Sequence, residues 1–294
     1  MKEFGGIIDL NNKRISLLDK TRLTNHILDR TILTEKNYDN FYAYQLNCDE
    51  KLSLFDDRLN KKIVILNGRI DNKETIKSKL GLKDKEVNDE IIFHKSYLKW
   101  GNQLGSHIIG SFACLIFDRL KNKGIIIKDH IGSKPLYFSF INKRLVFSNN
   151  ITAIRNSSQK ADDINLDRIR DYVIYLHGKS GDTFYKNIKK LQRAEILTVT
   201  KEKITVKKYF QFDTNKVSNF IDIYECSEAF EELFIKIIKE QSHGLEKVGT
   251  KLSGGIDSSS ITAILAKYSN AETISYSALF KNLNAEDFKK TDEK

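Results

Sequence analysis

The sequence predicts two units of different fold class: a sheet-rich α+β half up to about residue 215, and the opening of an α/β parallel sheet from about residue 220. Three observations carry this. Short apolar runs separated by tight turns fill the first half. A 3.6-residue apolar period takes over after residue 220. A strand, a glycine loop, a helix and a second strand then follow in order, as at the start of a βαβ unit. The chain's 294 residues leave room for two domains at roughly 150 each.

Within the first half, IVIL (63–66) reads as a buried strand. Asn72 then caps a short helix that stops at Gly81, and Asn88 opens a second helix, DEIIFHKSYLKW, closed by Gly101. Three antiparallel pairs follow. SFACLIFD (111–118) and GIIIKD (124–129) join through Lys121-Asn122-Lys123. PLYFSF (135–140) and RLVFSN (144–149) turn at Asn142-Lys143, and ILTVT (196–200) turns near Glu202 into ITVKKYFQF (204–212). Between the last two pairs Asn165 caps a helix that ends before Gly178. After residue 220, Ser227 opens a helix whose face carries Phe230, Leu233, Phe234, Ile237 and Ile238, and Gly244 stops it. A strand near 248–252, the loop SGGIDSS (253–259), a helix through 261–268 and a strand over 272–280 complete the pattern. Two strands and one crossover cannot cover both faces of a parallel sheet, so this second unit is expected to be incomplete.

Composition excludes several classes. At 40% hydrophobic and 30% charged residues the chain is globular rather than disordered. No apolar run approaches the roughly 18 residues of a membrane span, and the start lacks a signal peptide's apolar core. Cys48, Cys114 and Cys226 are too widely spaced for a disulfide framework or a zinc pattern. A cytoplasmic protein without membrane contact is expected. Net charge is +10, yet residues 216–294 hold 10 Lys against 13 acidic residues, leaving +13 on residues 1–215. With no aromatic-interleaved basic stretch, this excess reads as a solvated surface rather than a nucleic-acid face.

SGGIDSS is the segment that carries chemistry. Gly254 and Gly255 allow close backbone approach and aim N–H groups at an anion at a helix N-terminus. Ser253, Ser258 and Ser259 add hydroxyls, and Asp257 beside a phosphate implies a bridging Mg²⁺. GxxxxGK[ST] and GxGxxG are both absent, so the loop is neither a Walker A loop nor a dinucleotide fingerprint. The plainer alternative is an Asp/Ser helix cap after a glycine turn.

The loop resembles the pyrophosphate-binding loop of the ATP pyrophosphatases, and the order of parts resembles the asparagine synthetase family. LNGRIDN (66–72) is similar to the family's NGEIYN, GSFACLIFD (110–118) to GxFAxxxxD, KDHIGSKPLYF (128–138) to RDxxGxxPLYY, and LVFSNNITAI (145–154) to LxFSSExKAL. NDEIIFHKSYLKWG (88–101) is similar to the family's SDxE…YxxWG stretch. The resemblance implies an N-terminal nucleophile-type αββα sandwich over 1–215, a glutaminase-like domain. It implies the start of a Rossmann-like ATP-pyrophosphatase domain over 220–294.

The departures bear on function. The family's nucleophilic cysteine falls at Lys2, which cannot form the labile acyl intermediate. The carboxylate-binding arginine of its RLSI-type segment falls in Lys51-Leu52-Ser53-Leu54. Asn67 and Gly68 match the oxyanion-hole positions, and Asp89 matches the carboxylate that holds glutamine's amino group. No glutamine hydrolysis is therefore expected.

The resemblance further implies ATP-dependent activation of a carboxylate as an acyl-adenylate, then amide-bond formation. Leu252, Ser253, Gly254, Gly255, Asp257, Ser258 and Ser259 would serve the ATP phosphates, and Asp257 would engage Mg²⁺. Ser277 would end the adenine-side strand, Ile274–Ser277. Relatives without the cysteine, the lasso-peptide macrolactam synthetases and β-lactam synthetases, cyclise one substrate instead; YSALF (276–280) and TDEK (291–294) resemble these somewhat more. The chain is expected to be a truncated or split piece of a synthetase, completed by a second polypeptide or serving as a non-catalytic scaffold. His130 and Asp129 read as turn residues, Trp100 and Cys114 as core, and Asp292 and Glu293 match the family's acidic pair.

Overall fold

The computed structural model describes residues 3–28, 33–46, 54–83, 87–176, 180–215 and 222–278. Two compact units are present, Met1–Phe212 and Asp213–Lys294.

The first unit stacks two six-stranded antiparallel sheets. One contains β1 (Glu3–Asp9), β2 (Leu33–Tyr38), β3 (Phe41–Leu46), β8 (Tyr137–Ile141), β9 (Arg144–Ser148) and the two-residue β10 (Lys189–Lys190). Its order is β10-β8-β9-β1-β3-β2. The other contains β4 (Leu54–Asp57), β5 (Lys62–Ile70), β6 (Gly110–Asp118), β7 (Lys123–Lys128), β11 (Glu195–Val199) and β12 (Ile204–Lys208), in the order β12-β11-β7-β6-β5-β4.

Alternation along each strand sorts the apolar side chains into three layers. Phe4, Ile8, Phe41 and Phe147 of the first sheet meet Ile65, Leu115, Phe117 and Ile126 of the second in the inter-sheet core. The opposite face of the second sheet (Val64, Cys114, Ile116, Ile127) is covered by α2 (Lys73–Leu80) and α3 (Asp89–Trp100) through Ile76, Ile92 and Phe93. The outer face of the first sheet (Ile7, Tyr42, Tyr44, Val146) is covered by α1 (Leu17–Thr24) and α4 (Ile151–Ser157) through Leu23, Ala153 and Ile154. The result is an αββα sandwich. Antiparallel sheets commonly leave one face in water and read as alternating sequences. Here both faces are dry, which is why FACLIF in β6 is an unbroken buried run.

The turns follow their residues. Asn142 and Lys143 adopt φ of 53° and 61°, the paired left-handed geometry that suits a two-residue hairpin. Gly81 ends α2 at φ 69°, Gly101 ends α3, and α5 (Leu166–Val173) is capped by Asn165, whose Oδ1 accepts from Arg168 N–H. Asn72 precedes α2 but does not cap it: its side chain donates to His107 O and accepts from Ile109 N–H, pinning the helix start to the loop before β6.

Four expectations shift at their ends. β12 stops at Lys208 instead of reaching residue 212, because Tyr209 turns its N–H to Ala194 O and its hydroxyl to Lys128 O. In the second unit α6 (Ile223–Ser242) begins before Ser227, capped by Asp222, which accepts from the amides of Tyr224 and Glu225. Ser227 lies one turn inside and bonds back to Ile223 O. α7 (Ile256–Tyr268) begins inside the glycine loop rather than after it, and the last strand, β14, ends at Tyr276.

The second unit also holds β13 (Lys247–Lys251), which pairs in parallel with β14 (Glu272–Tyr276), α7 making the crossover. Among its described residues the buried apolar side chains are Ile238, Leu265 and Ala271, while Ile256 is 82% and Tyr276 63% exposed.

One buried charge organises the end of the first unit's sandwich. Asp129 is fully buried and follows β7. Its oxygens accept from the amides of Phe112, Ile131, Gly132 and Ser133 and from the Ser133 hydroxyl. Burial pushes its pKa up, but the bonds from Ser133, Phe112 and Gly132 outweigh that and hold it below the usual carboxylate range. A depressed folded-state pKa stabilises the fold above the unfolded value near 3.9, and this is lost as pH falls through the folded value. Asp129→Asn is expected to lower unfolding stability by about 2–4 kcal/mol at pH 7 in urea titrations. The gap to wild type should begin to close as pH falls below about 4; equal stability at pH 7 would contradict the assignment.

Candidate functional site

Two places carry the residues that the sequence singles out. The first is a cavity of about 420 Å³ in the sandwich, lined by Asn67, Gly68 and Arg69 of β5, Ser111 of β6, Ser133, Lys134, Pro135 and Asn149. Gly68 sits at φ +139°, and a Cβ there would stand 1.9 Å from Ser111 O. This position in β5 is therefore open to glycine alone. Asn67 is nearly buried beside it. Asn149 ties the cavity to the start of β1: its Oδ1 accepts from Phe4 N–H at 2.9 Å, and its own N–H donates to Phe4 O.

Asp89 is held apart from this lining. It is the first residue of α3, where one carboxylate oxygen accepts from Ile70 N–H at 2.9 Å. The other forms an ion pair with Lys73 Nζ at 2.6 Å. The resemblance implies that Asp89 holds a substrate's amino group; in the structure it pairs with Lys73, a contact that sequence spacing does not reveal. Lys2 and residues 51–53 lie outside the described residues, as do Asp292 and Glu293.

Next to position 2, Glu3 gathers three donors: Tyr44 Oη at 2.7 Å, His26 Nε2 at 2.6 Å and Asn150 Nδ2 at 2.9 Å. Burial raises its pKa, but the bonds from His26, Asn150 and Tyr44 prevail and keep the carboxyl below its ordinary value. Sequence reading passed over this cluster, because its members are up to 147 positions apart.

The second place is the loop between β13 and α7. Gly254 takes φ +81°, a conformation glycine adopts without penalty, and no atom lies within 4 Å of a Cβ built there. Gly255 is extended and serves as N-cap without a side-chain bond. The amides of the first turn, from Ile256 onward, have no partner inside the helix and carry the positive end of its dipole. Asp257 is exposed on that turn.

The serines divide into two roles. Ser258 Oγ bonds Gly255 O and accepts from Ser253 N–H at 3.3 Å, and the two hydroxyls lie 3.1 Å apart, so Ser258 braces the loop from within. Ser277 donates to Leu252 O at 2.7 Å, and Leu252 N–H bonds Tyr276 O, fastening the loop to the end of β14. Behind it Thr262 donates to Thr250, whose hydroxyl lies 3.0 Å from that of Ser275. Ser259 is exposed on the helix's first turn. Leu252, Ser253, Gly254, Gly255, Asp257, Ser258, Ser259 and Ser277 are therefore brought together, with Ser258 and Ser277 supporting the backbone.

The plain candidates hold structural positions. Cys114 is fully buried among aliphatic side chains, and burial pushes its thiol pKa up. Trp100 stacks on His107 with ring centroids 4.2 Å apart. His130 packs edge-on against Tyr209 and Phe210, and burial lowers its pKa against the opposing pull of Asp129. Among the described residues no helix is long and apolar enough to cross a membrane, and no group of three or more His, Cys, Asp or Glu could hold a metal ion.

Residues 54–210 match the sequence profile of the glutamine amidotransferase domain, and residues 229–294 that of asparagine synthase. A Methanocaldococcus jannaschii protein, provisionally named glutamine-hydrolyzing asparagine synthetase 2, is 28% identical over 272 residues. That alignment covers 90% of this chain and 51% of the relative. Glutamine-hydrolyzing asparagine synthetase 3 of Bacillus subtilis is 28% identical over 217 residues, covering 71% of this chain and 34% of its own. Among solved structures, glutamine phosphoribosylpyrophosphate amidotransferase of B. subtilis superposes at a TM-score of 0.49 with 13% identity. That superposition covers 93% of this chain and 65% of the other.

The αββα sandwich and the profile match together define a glutamine amidotransferase domain of the N-terminal nucleophile fold. The chain belongs to the asparagine synthetase family, and it spans about half or less of the length of the curated relatives it matches.

Gly68→Ala tests how tightly the first cavity is built. With backbone 1.9 Å from the new Cβ, β5 and β6 must separate locally. A loss of about 3 kcal/mol or more in urea unfolding is expected. An unchanged midpoint would mean that this strand position tolerates a side chain.

Proposed function

We propose that this protein takes part in ATP-dependent amide-bond formation through an acyl-adenylate, without hydrolysing glutamine. The observation that carries the reading is the open glycine loop at the N-terminus of α7, fastened by Ser258 and Ser277 and unobstructed at Gly254. Such a terminus offers several N–H donors to one anion, and hydrogen bonds to a charged acceptor are roughly twice as strong as neutral ones.

In this reading the loop amides hold the β- and γ-phosphates of ATP. A substrate carboxylate oxygen attacks the α-phosphorus, the bond to the bridging oxygen breaks, and pyrophosphate leaves. An amine nitrogen then attacks the acyl carbon, AMP departs, and the nitrogen gives up one proton to solvent. The donor set fits a Mg²⁺ held mainly by phosphate oxygens, because Asp257 is a lone exposed carboxylate on this turn. When bound, that ion neutralises charge on the leaving pyrophosphate. Ser253 and Ser259 supply hydroxyl donors at the edge of the loop, and Ser277 keeps Leu252 in place.

Two features support the absence of glutaminase chemistry: lysine at position 2, and Asp89 occupied by Lys73. They also favour a second form of the same reaction, in which the amine belongs to the substrate that is activated and the product is cyclic. Nothing in the first cavity would then need to release ammonia. A carboxylate substrate and ATP are the small-molecule partners that follow, acting in the cytoplasm.

Calorimetry with Mg–ATP is expected to show one saturable site. Gly254→Val meets no steric obstacle but forces a β-branched residue to a positive φ. It should weaken binding about tenfold or more, and Asp257→Asn by several-fold in the presence of Mg²⁺, each with unchanged circular dichroism. Full affinity in Gly254→Val would remove the support for this reading. In a coupled assay with saturating glutamine, ammonia release should stay at the buffer rate; enzyme-dependent release would overturn the non-hydrolytic part alone.

A further inference from the structure

One cavity of the first unit has no part in the chemistry above. It lies on the outer face of the first sheet, under α1 and α4, and holds about 550 Å³, enough for a small metabolite. Ile7, Val146 and Ser139 are paired across three adjacent strands and lie along its floor. Ser139 is 3% exposed, and its hydroxyl has no hydrogen-bond partner. A buried hydroxyl left without a partner costs about 1–3 kcal/mol, and Ser139 belongs to the cavity's lining.

The walls are positively charged. Arg144 is anchored by Asp9 (Nε and Nη2, both 3.2 Å) and by Asp19 (Nη1, 2.9 Å). The remaining carboxylate oxygens are also taken: Asp9 Oδ1 accepts from the amides of Asn11 and Lys13, and Asp19 Oδ2 from the amide and hydroxyl of Ser16. Lys13, Arg22 and Lys160 line the same cavity and form no ion pair among the described residues. The lining therefore carries four cations against two fully engaged carboxylates, a net charge of +2. The hydroxyl of Ser158 accepts from Lys160 N–H, which leaves its own proton to donate.

We propose that this cavity is a binding site for a small phosphate monoester, with the phosphate held by Lys13, Arg22 and Lys160 and a hydroxyl of the ligand bonded to Ser139. A phosphate dianion matches the net charge and offers three acceptor oxygens to the three unpaired cations, where a carboxylate offers one charge and two oxygens. All the residues named belong to the first unit, so the site stands independently of the glycine loop.

The test is phosphorus NMR titration of the full chain with inorganic phosphate and with glycerol 3-phosphate, at ionic strength fixed with chloride. Saturable binding with a dissociation constant on the order of 1 mM or tighter is expected for both. The double variant Arg22→Ala/Lys160→Ala alters exposed side chains and should weaken both about tenfold or more. Ser139→Ala should weaken glycerol 3-phosphate about threefold and leave inorganic phosphate unchanged. Asp257→Asn, in the other unit, should alter neither. No saturable binding, or binding that survives the double variant, would overturn the proposal.

Discussion

Each sheet of the first unit must be covered on both faces, and the rest of its architecture follows from that constraint. Strands such as β5 and β6 carry apolar side chains in both directions. Left with one wet face they would expose Val64, Cys114 and Ile116, at roughly 25 cal/mol for every Å² of apolar surface. The two sheets bury one face against each other, and two helix pairs cover the outer faces. Three polar clusters form at strand ends. There Asp129 satisfies a whole turn, Asn149 ties the start of β1 to a cavity, and Glu3 draws together Tyr44, His26 and Asn150.

The two chemically interesting places differ in how they are built. The cavity beside Gly68 keeps its shape through strand contacts too close for any Cβ. Asp89 is neutralised by a neighbouring lysine, and the sequence has a lysine at position 2. The glycine loop shows the reverse: its glycine is unobstructed, and the hydroxyls of Ser258 and Ser277 fix its backbone. Ordering a loop's backbone while leaving its amides open is what recognition of a phosphate tail requires.

Local chemistry made much of this legible from sequence. Asn142-Lys143 marked a hairpin, Gly81 and Gly101 marked helix ends, and SGGIDSS marked a strand-to-helix turn. What escaped was decided by distant partners. β1 reads poorly because it contains Gly5 and Gly6, which weaken a strand on its own. In the sheet they are needed: a Cβ on Gly6 would stand 2.4 Å from Tyr42 O. β12 ends early because Tyr209 finds acceptors at Ala194 and through its hydroxyl at Lys128. Asn72, a cap by residue type, is diverted to His107 and Ile109, and Ser227 gives way to Asp222, whose carboxylate reaches two amides at once. At the candidate sites, the residue types were legible, but the Lys73–Asp89 pair and the bracing role of Ser258 were set by geometry alone.

In the proposed reaction the backbone amides around Gly254 meet the phosphates of ATP. Hydrogen–deuterium exchange of the intact chain, followed peptide by peptide with and without Mg–ATP, tests it most directly. Slowed exchange over residues 253–259, with strands β5 and β6 unchanged, is the expected result. Unaltered exchange in that loop, at nucleotide concentrations that produce protection elsewhere in the chain, would contradict it.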